Sequence, residues 1–550
     1  MKIIGSTYVG NEGSPNAKLW CVGEAPGYYE EQEGRPFVGR AGTLLEDVLR
    51  LNGVMRSEVF FTNLLHYRPL DNKFQLALDT QELKDGIAEL NSLLKRHSPN
   101  CIAAFGGYPC GFLTGHHGIT RYRGSILSVR NNPKLKVIPT YHPSYIERNP
   151  KYYTIFDNDI RRIVEDSKFP ELNIPELEIT TNYLDYRDVL LNAKFITIDI
   201  ETVTGTDIIL CVGFAYSPTQ SVVVPCDGTF NSNNFISEIL ASNVPKGAHF
   251  GTYDKTVLIL NKYTINNYIH DTIIQAHVLA PELPKSLAYL TSIYTRIPYY
   301  KSAGRENIPS KDEVDKVQVV SDQKSWPAKR NKQELYIYNG TDCCATYQVF
   351  MAQQEELKDD TDHVRIYEYE MEMVQIAIEF GLEGIRVDEG RRSILRTLIY
   401  KKFTANQMAL ELLTGEKPNV NSPKQMKELL YEKLNLPKRM YKKKVTTNDD
   451  ALVSLITYCK GKALEVKKED TKKEYSKKLY IIKLVRELRG VNKMIGTYID
   501  FKVSDDGKAR SIWKAHAAET GRWGAELFID DTGISLMTTP RESLDDGQPE

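Results

Sequence analysis

Two carboxylate side chains on one short predicted strand are the residues of this sequence best placed for chemistry. Residues 195–202 alternate apolar and polar side chains, and this alternation predicts a β-strand. Asp199 and Glu201 are two positions apart, so both side chains lie on one face of that strand. Neighbouring carboxylates repel each other and resist burial unless a cation lies between them, and Mg²⁺ or Mn²⁺ suits an oxygen-only site. The alternative is a pair that faces solvent at the end of a strand.

Further acidic residues follow in an order that strengthens the metal-site interpretation. Asp254 precedes an apolar run, and Tyr338 and Asp342, four residues apart, begin a helical run that includes residues 345–351. An Asp-x-Glu strand, a later Asp and a Tyr-x-x-x-Asp in this order resemble the proofreading 3′–5′ exonuclease domain of family A DNA polymerases, over about residues 186–355. The resemblance implies an RNase H-like domain that shortens DNA from its 3′ end.

The same resemblance implies a role for each of these side chains. Asp199, Glu201, Asp254 and Asp342 correspond to the ligands of two divalent metal ions, Mg²⁺ or Mn²⁺. In the family, these ions clamp the attacking and leaving oxygens of a phosphodiester. Tyr338 corresponds to the residue that orients the attacking water.

Three neighbouring features complete the predictions for this region. Phe250 stands four residues before Asp254, where the family often has an Asn; an aromatic ring can still pack on the substrate strand, so we expect activity. Asp271 begins a helical pattern and is expected to act as its N-cap. Residues 297–328 are polar and lysine-rich, which predicts a loop over the mouth of the site.

Length and composition set the broad class of the chain. At 550 residues it is too long for one core, so we expect three or four domains; its apolar (41%) and charged (26%) fractions are those of globular proteins. The net charge of −1 requires nucleic acid to be held by local basic patches. Eight cysteines without a Cys-x-x-Cys pair predict reduced thiols. We see neither a signal peptide nor a long apolar run, and expect a cytoplasmic protein without a membrane partner, in the host cytoplasm if it is viral.

The first 170 residues carry a second set of chemically suggestive motifs. Strand patterns at residues 19–23, 59–63, 101–105 and 137–139 alternate with helical patterns, which predicts a parallel α/β sandwich with its site at the strand ends. An ordered set of motifs here resembles the uracil-DNA glycosylase superfamily, especially its family 4. The motifs are GEAPG at 23–27, PFVGRAG at 36–42, TN at 62–63, RP at 68–69 and YHPSY at 141–145.

The glycosylase pattern implies a role for each matching side chain. Phe37 would stack on a uracil flipped out of the duplex, and the Asn63 carboxamide, which can donate and accept together, would read its edge. His142 would donate to the charge that develops on the uracil O2. The other implied contacts are water placement by Glu24 and Asn72, and minor-groove contact by Tyr145 and Arg148.

Each of these side chains also has an ordinary structural explanation. Phe37 alone suits a core aromatic, His142 a loop histidine and Asn63 a strand-end cap; only the ordered set favours the glycosylase fold. Family 4 enzymes carry a four-cysteine iron–sulfur cluster, but Tyr67 and Gly86 stand where two ligand cysteines are expected. We therefore expect no iron–sulfur cluster. The domain would be held together by packing, and would either excise uracil or serve as a DNA-gripping, uracil-sensing module.

Residues 356–550 resemble the beginning of a family A polymerase domain. The similarity includes a predicted helix at 419–430, a long helix at 486–498, and Arg522 of a Thr-Gly-Arg motif that corresponds to a primer-template contact. Basic stretches at 438–444 and 462–478 correspond to a thumb that grips duplex DNA, or else form solvated helix faces.

The palm aspartates and the fingers helix of that family would follow residue 540, and we do not find them. Asp530 and Asp531 follow Arg522 too closely and lack an apolar strand, so they do not replace the palm pair. We expect no polymerisation by this chain alone. A C-terminal polymerase part and other replisome proteins are expected partners.

The chain is therefore predicted to be multidomain α/β. It comprises a glycosylase-like α/β/α sandwich at 1–170, a linker at 171–185, an RNase H-like exonuclease domain at 186–355 and a mainly helical thumb with the start of a palm at 356–550. We predict a phage-type family A polymerase fragment that acts on primer-template DNA and single-stranded 3′ ends. The competing hypothesis is a non-catalytic DNA-binding or uracil-sensing replisome subunit.

Overall fold

The computed structural model describes residues 4–309, 330–529, 532, 533 and 535. Two compact units divide the chain: Met1–Ala377 with Lys514–Trp523, and Ile378–Trp513 with Gly524–Glu550. None of the described helices is both long enough and apolar enough to cross a membrane. The mixed α/β, multidomain class that the sequence predicts is confirmed.

A five-stranded sheet forms the centre of the glycosylase-like region. The strands of the region, of which β1 and β4 lie outside this sheet, are β1 (Ile4–Tyr8), β2 (Leu19–Gly23), β3 (Val59–Asn63), β4 (Tyr67–Pro69), β5 (Cys101–Phe105), β6 (Leu127–Val129) and β7 (Asn132–Thr140). The helices are α1 (Tyr28–Glu33), α2 (Gly39–Leu51), α3 (Gln81–Arg96), α4 (Gly107–Thr114), α5 (Ile119–Tyr122), α6 (Pro143–Arg148) and α7 (Tyr153–Asp166). The sheet order is β3-β2-β5-β7-β6, parallel except for β6, while β1 pairs with β4 apart from it. Because helices cover both faces, β2, β3 and β5 are buried throughout and read as continuous apolar runs.

A six-stranded mixed sheet follows. Its strands are β8 (Glu178–Thr180), β9 (Ile196–Thr202), β10 (Ile209–Ala215), β11 (Gln220–Pro225), β12 (Lys246–Ala248) and β13 (Tyr268–Asp271). The helices are α8 (Arg187–Leu191), α9 (Phe230–Ala241), α10 (Gly251–Leu260), α11 (Thr272–Leu279), α12 (Leu287–Tyr294), α13 (Lys301–Arg305) and α14 (Lys332–Leu357). The order is β13-β12-β9-β10-β11-β8, with β9, β10 and β11 antiparallel and the outer strands parallel to their neighbours.

Three features differ from the sequence predictions for this region. Residues 178–180, inside the predicted linker, form β8 and pair with β11. The helix that residues 338–342 were predicted to begin starts earlier, at Lys332, so Tyr338 and Asp342 lie inside it rather than at its start. The segment predicted as a loop at 297–328 contains α13, while 310–329 lie outside the described residues. Asp530 and Asp531 also lie outside them.

The second unit is mainly helical. Beginning with a helix that spans the boundary of the two units, its elements are α15 (Thr361–Glu383), β14 (Ile385–Arg386), α16 (Glu389–Thr414), α17 (Pro423–Lys427), β15 (Arg439–Tyr441), β16 (Lys444–Thr446), α18 (Asp449–Glu465), α19 (Glu469–Met494), β17 (Lys508–Ala509), β18 (Ile512–Lys514) and β19 (Gly524–Glu526). Its core packs apolar side chains of α16, α18 and α19, including Leu410, Leu455 and Ile481. The basic stretch 438–444 is the β15–β16 hairpin, and 462–478 spans the end of α18 and the first half of α19.

Hydrogen bonds from the guanidinium groups of two arginines join the glycosylase-like region to α12 and the residue that follows it. Arg123 is 4% exposed, pairs with Asp159 of α7 and donates to Ser292 Oγ at 3.1 Å. Arg162 donates to the Ser292 and Thr295 carbonyls. One apolar core includes side chains of both α7 and α12. The first two regions therefore share a core instead of folding as separate modules.

Breaking the Arg123–Asp159 pair is expected to destabilise the chain strongly. Arg123→Met removes the ion-pair partner of the buried Asp159 carboxylate, which costs about 3–5 kcal/mol of the free energy of unfolding. Arg50→Met removes an exposed pair with Asp47, for which a change below about 1 kcal/mol is expected. Urea unfolding of the full chain measures both, and equal effects of the two variants would contradict this role for Arg123.

Candidate active sites

Three carboxylates from two distant segments converge beside the six-stranded sheet. Asp199 and Glu201 extend from β9, Asp342 extends from α14, and one oxygen of each lies within 4.8 Å of the others. Two glycines permit this approach of helix and sheet. A Cβ at Gly213 would lie 2.4 Å from Asn339 Oδ1, and one at Gly340 would lie 2.4 Å from Ile179 Cγ2.

Burial makes this cluster electrostatically unfavourable without a cation. Burial, followed by the Asp342 charge, raises the pKa of Asp199 well above its usual range. The same two causes raise the pKa of Glu201 to about 8. Oxygen ligands at this spacing fit a divalent ion such as Mg²⁺ or Mn²⁺, whose charge would relieve the mutual repulsion.

Asp254, the fourth predicted ligand, lies outside the group of three carboxylates. It extends from α10, and its Oδ1 accepts a hydrogen bond from Ile200 N at 3.0 Å, on the strand residue between Asp199 and Glu201. Burial raises the pKa of Asp254 to about 7. The structure thus brings three predicted ligands together and places the fourth against the strand that carries two of them.

The remaining side chains around the cluster come mostly from residues that sequence reasoning missed. Tyr338, which was predicted, lies one turn from Asp342 on α14 and is 7% exposed. Lys301 Nζ lies 2.5 Å from Asp342 Oδ2, and the Tyr300 hydroxyl donates to Asp342 Oδ1. Asn339 Nδ2 donates to Asp199 Oδ2 at 2.7 Å. Asn339 lies within the Tyr-x-x-x-Asp motif, so the sequence could have indicated it. No sequence spacing links Tyr300 and Lys301 to the carboxylates.

Phe250 holds an uncommon backbone conformation at the start of α10. Its φ of 61° and ψ of 42° are left-handed, a region that Asn adopts more readily than an aromatic residue. Asp271 fixes this turn, because its carboxylate accepts from Phe250 N at 3.0 Å and Gly251 N at 2.9 Å. The prediction that Asp271 caps the next helix is confirmed, since Oδ1 also accepts from Ile273 N. The Phe250 ring packs edge-on against His516.

A separate cavity opens at the strand ends of the glycosylase-like region. Its volume is about 830 Å³. It gathers all the side chains that the glycosylase motifs single out: Glu24, Phe37, Asn63, Asn72, His142, Tyr145 and Arg148. Asn63 and Phe37 are 4% and 6% exposed and form the floor, whereas Asn72 is exposed at the rim, where its Oδ1 accepts from Arg68 Nε at 2.8 Å.

Side-chain contacts hold the floor of this cavity in a backbone conformation that an aromatic residue rarely adopts. Phe37 has a φ of 52°, unusual for an aromatic residue. Arg56 stabilises the turn by donating to the carbonyls of Phe37 at 2.9 Å and Pro36 at 2.7 Å, while Glu12 pairs with its guanidinium. A Cβ at Gly42 would lie 2.0 Å from Phe37 O, so only glycine fits there. The Phe37 ring stacks near His142, with centroids 6.2 Å apart.

Local contacts define the protonation state of His142. Its Nδ1 accepts from Ser144 N at 3.2 Å as the N-cap of α6, which leaves the proton of a neutral ring on Nε2. Burial, followed by the Arg148 charge, lowers the pKa of His142 to about 4. Burial also raises the pKa of Glu24. The site therefore presents a neutral imidazole and a carboxyl group in a partly desolvated cavity.

The residues present do not fit a four-cysteine iron–sulfur cluster. A Cβ at Gly86 would lie 2.3 Å from Leu64 O, so no ligand side chain has room there. Tyr67 pairs with Tyr8 across the β1–β4 ladder, and Cys101 is fully buried in the central sheet.

Comparison with known proteins identifies the first region. Residues 11–167 match the uracil DNA glycosylase superfamily. The type-4 uracil-DNA glycosylase of Thermotoga maritima is 36% identical over 159 residues, 28% of this chain and 75% of that enzyme. The chain belongs to the uracil-DNA glycosylase superfamily. The superfamily domain is followed by residues that resemble polymerases.

Two polymerases illustrate that second similarity. The DNA polymerase of Bacillus phage SP01 is 26% identical over 205 residues, 35% of this chain and 21% of that protein. DNA polymerase I of Borreliella burgdorferi is 26% identical over 299 residues, 52% of this chain and 31% of that protein. The chain thus spans less than a third of these polymerases. The resemblance to a glycosylase-fused family A polymerase is confirmed, and it places the chain among proteins of DNA replication and repair.

Proposed function

We propose that the chain processes DNA at two separate sites: a metal-dependent 3′–5′ exonuclease site at Asp199, Glu201 and Asp342, and a uracil-excision site in the glycosylase-superfamily cavity. The observation that carries the nuclease proposal is the convergence of three carboxylates from β9 and α14, of which Glu201 and Asp342 are buried and Asp199 is half-buried. The observation that carries the excision proposal is the cavity that collects the seven side chains to which the glycosylase pattern assigns a role, in a domain similar to type-4 uracil-DNA glycosylases.

In the nuclease site, each side chain has a task that its geometry permits. Divalent ions held by Asp199, Glu201 and Asp342, with Asp254 as the fourth ligand, would supply charge stabilisation and an activated water. Asn339 orients Asp199 by its 2.7 Å hydrogen bond. Burial raises the pKa of Tyr338, so its hydroxyl stays protonated and can position a water or a phosphate oxygen.

In the excision site, some residues bind the flipped base and others take part in the reaction. Phe37 offers a ring face to a flipped base, and the buried Asn63 carboxamide pairs with its edge. His142 donates from Nε2 to the charge that develops on O2 while remaining neutral. Glu24 and Asn72 hold the water that attacks the sugar, and Tyr145 and Arg148 at the mouth contact the DNA strand.

Incubation of the full chain with two labelled oligonucleotides tests these activities independently. A plain single strand with Mg²⁺ should lose nucleotides from its 3′ end and stay intact with EDTA. A uracil-containing strand with EDTA should release free uracil. Silence in either assay with intact DNA binding would favour the alternative, a non-catalytic DNA-binding or uracil-sensing subunit, for that site.

The second unit supports a DNA-gripping role. Lysines line the β15–β16 hairpin and α19, so contacts with phosphates should weaken steeply as salt rises.

Arg522 is an exposed residue of the 514–523 segment, which belongs to the first unit. We propose it as a contact for primer-template DNA. A C-terminal polymerase part and replisome proteins remain proposed partners.

The pH dependence of the free energy of unfolding is expected to show that His142 is neutral in the folded chain. Folded His142 takes up a proton only near pH 4, whereas an unfolded histidine does so near pH 6.5. The stability present above about pH 6.5 is therefore lost as pH falls toward 4, because protons favour the unfolded chain in that window. His142→Gln lacks this loss. Urea unfolding of both chains between pH 4.5 and 8 measures the difference, and parallel curves would contradict a neutral buried ring.

A further inference from the structure

Two neighbouring side chains, Tyr300 just before α13 and Lys301 at its first position, contact both oxygens of one proposed metal ligand, Asp342. The Tyr300 hydroxyl donates to Asp342 Oδ1, and Lys301 Nζ lies 2.5 Å from Asp342 Oδ2 and 3.4 Å from Tyr338 Oη. Lys301 is 7% exposed, and its ammonium also lies 5.0 Å from the Tyr338 ring centroid and 5.3 Å from that of Tyr300. The ammonium is thus held by a carboxylate and two aromatic rings, away from bulk water.

We infer that Lys301 and Tyr300 form a latch on Asp342 that competes with divalent-metal binding at the nuclease site. This inference rests on the proposed nuclease function. A metal ion bound through Asp342 Oδ2 would lie close to the Lys301 ammonium, and two cations in a poorly screened site repel each other strongly. Metal therefore binds fully only when the ammonium leaves Asp342.

The latch sets the metal concentration at which the nuclease works. A site whose binding-competent form is populated only in part shows an apparent affinity reduced by that fraction. The latch also places a positive charge beside the three converging carboxylates, which offsets part of their mutual repulsion. It thereby preserves the arrangement of Asp199, Glu201 and Asp342 without committing the site to catalysis.

Mn²⁺ binding to the full-length chain, followed by electron paramagnetic resonance, tests the latch without relying on activity. Lys301→Met keeps the length of the side chain and removes the charge; it should tighten Mn²⁺ binding roughly tenfold. Tyr300→Phe removes one hydrogen bond and should tighten binding by a smaller factor. Lys194→Met, the same change at an exposed position of this region, should bind as the parent does. Circular dichroism checks that each variant folds.

The outcomes separate the latch from the nuclease proposal. Tighter binding by both Lys301→Met and Tyr300→Phe supports the latch. If the parent chain binds Mn²⁺ through Asp199 but both variants bind equally or more weakly, the latch is wrong and the metal site stands. If neither the parent nor any variant binds more Mn²⁺ than Asp199→Ala does, the metal site itself fails, and the latch falls with it.

Discussion

Asp199→Ala is expected to abolish Mg²⁺-dependent shortening of a single strand from its 3′ end. The variant removes one of three converging carboxylates, and with it the charge stabilisation that a correctly held metal provides. Loss of several kcal/mol of that stabilisation corresponds to a rate decrease on the order of 10³-fold or more. The rate of 3′ shortening at saturating Mg²⁺ measures the effect.

Asp188→Ala provides the matched control for that experiment. Asp188 is a largely exposed acid in the same region, where it pairs with Arg187, and its removal should leave the rate unchanged. Uracil release by Asp199→Ala should also match the parent, because the two sites use different residues. A nuclease rate that survives in Asp199→Ala would show that the activity, if any, arises elsewhere.

Asn63→Ala is expected to reduce uracil release by a similarly large factor. The Asn63 side chain is 4% exposed at the end of β3, so a flipped base loses both edge hydrogen bonds with no water to replace them. A buried site that binds a substrate by hydrogen bonds loses much of its kcat/KM when one partner of those bonds is removed. We expect a loss on the order of 10³-fold in kcat/KM. Release of labelled uracil under single-turnover conditions is the readout.

The control for Asn63 is Asn16→Ala, the same truncation at an exposed loop position. It should retain full activity. Nuclease activity of Asn63→Ala should equal that of the parent, which excludes general misfolding. If Asn63→Ala releases uracil normally, the cavity does not read the base as proposed.

The arrangement of the acidic residues was predictable where short-range periodicity governs it. Asp199 and Glu201 share a face because strand side chains alternate, and Tyr338 and Asp342 share a face because helix positions four apart do. The start of α14 at Lys332 was not predictable in this way. The helix is buried around residues 338–346 on several sides, so the amphipathic period that marks a surface helix is missing.

Long-range contacts account for what the sequence could not reveal. Phe37 and Phe250 both adopt left-handed backbone conformations that their side chains disfavour. Arg56 holds the first turn through carbonyl contacts, and Asp271 holds the second through backbone amides. Lys301 reaches Asp342 because α13 packs against α14. Each of these depends on tertiary packing that no local spacing encodes.

Glycosylase motifs were the most informative part of the sequence. Their order indicated the superfamily, which the comparison with type-4 enzymes bears out, while the alternation of strand and helix patterns predicted the parallel sheet with a site at its strand ends. The shared core between this domain and α12 was not predicted, because each region by itself reads as an independent α/β unit. Arg123 and Asp159 lie in that shared core, and nothing in the local sequence around either residue indicates that they pair.

Anomalous diffraction from a crystal of the full chain grown with Mn²⁺ tests the proposed metal-dependent site most directly. We expect an anomalous peak within bonding distance of carboxylate oxygens of Asp199, Glu201 and Asp342, with the Lys301 ammonium displaced from Asp342. A map with no peak at these three residues, at Mn²⁺ concentrations that saturate known two-metal nucleases, would contradict the proposal.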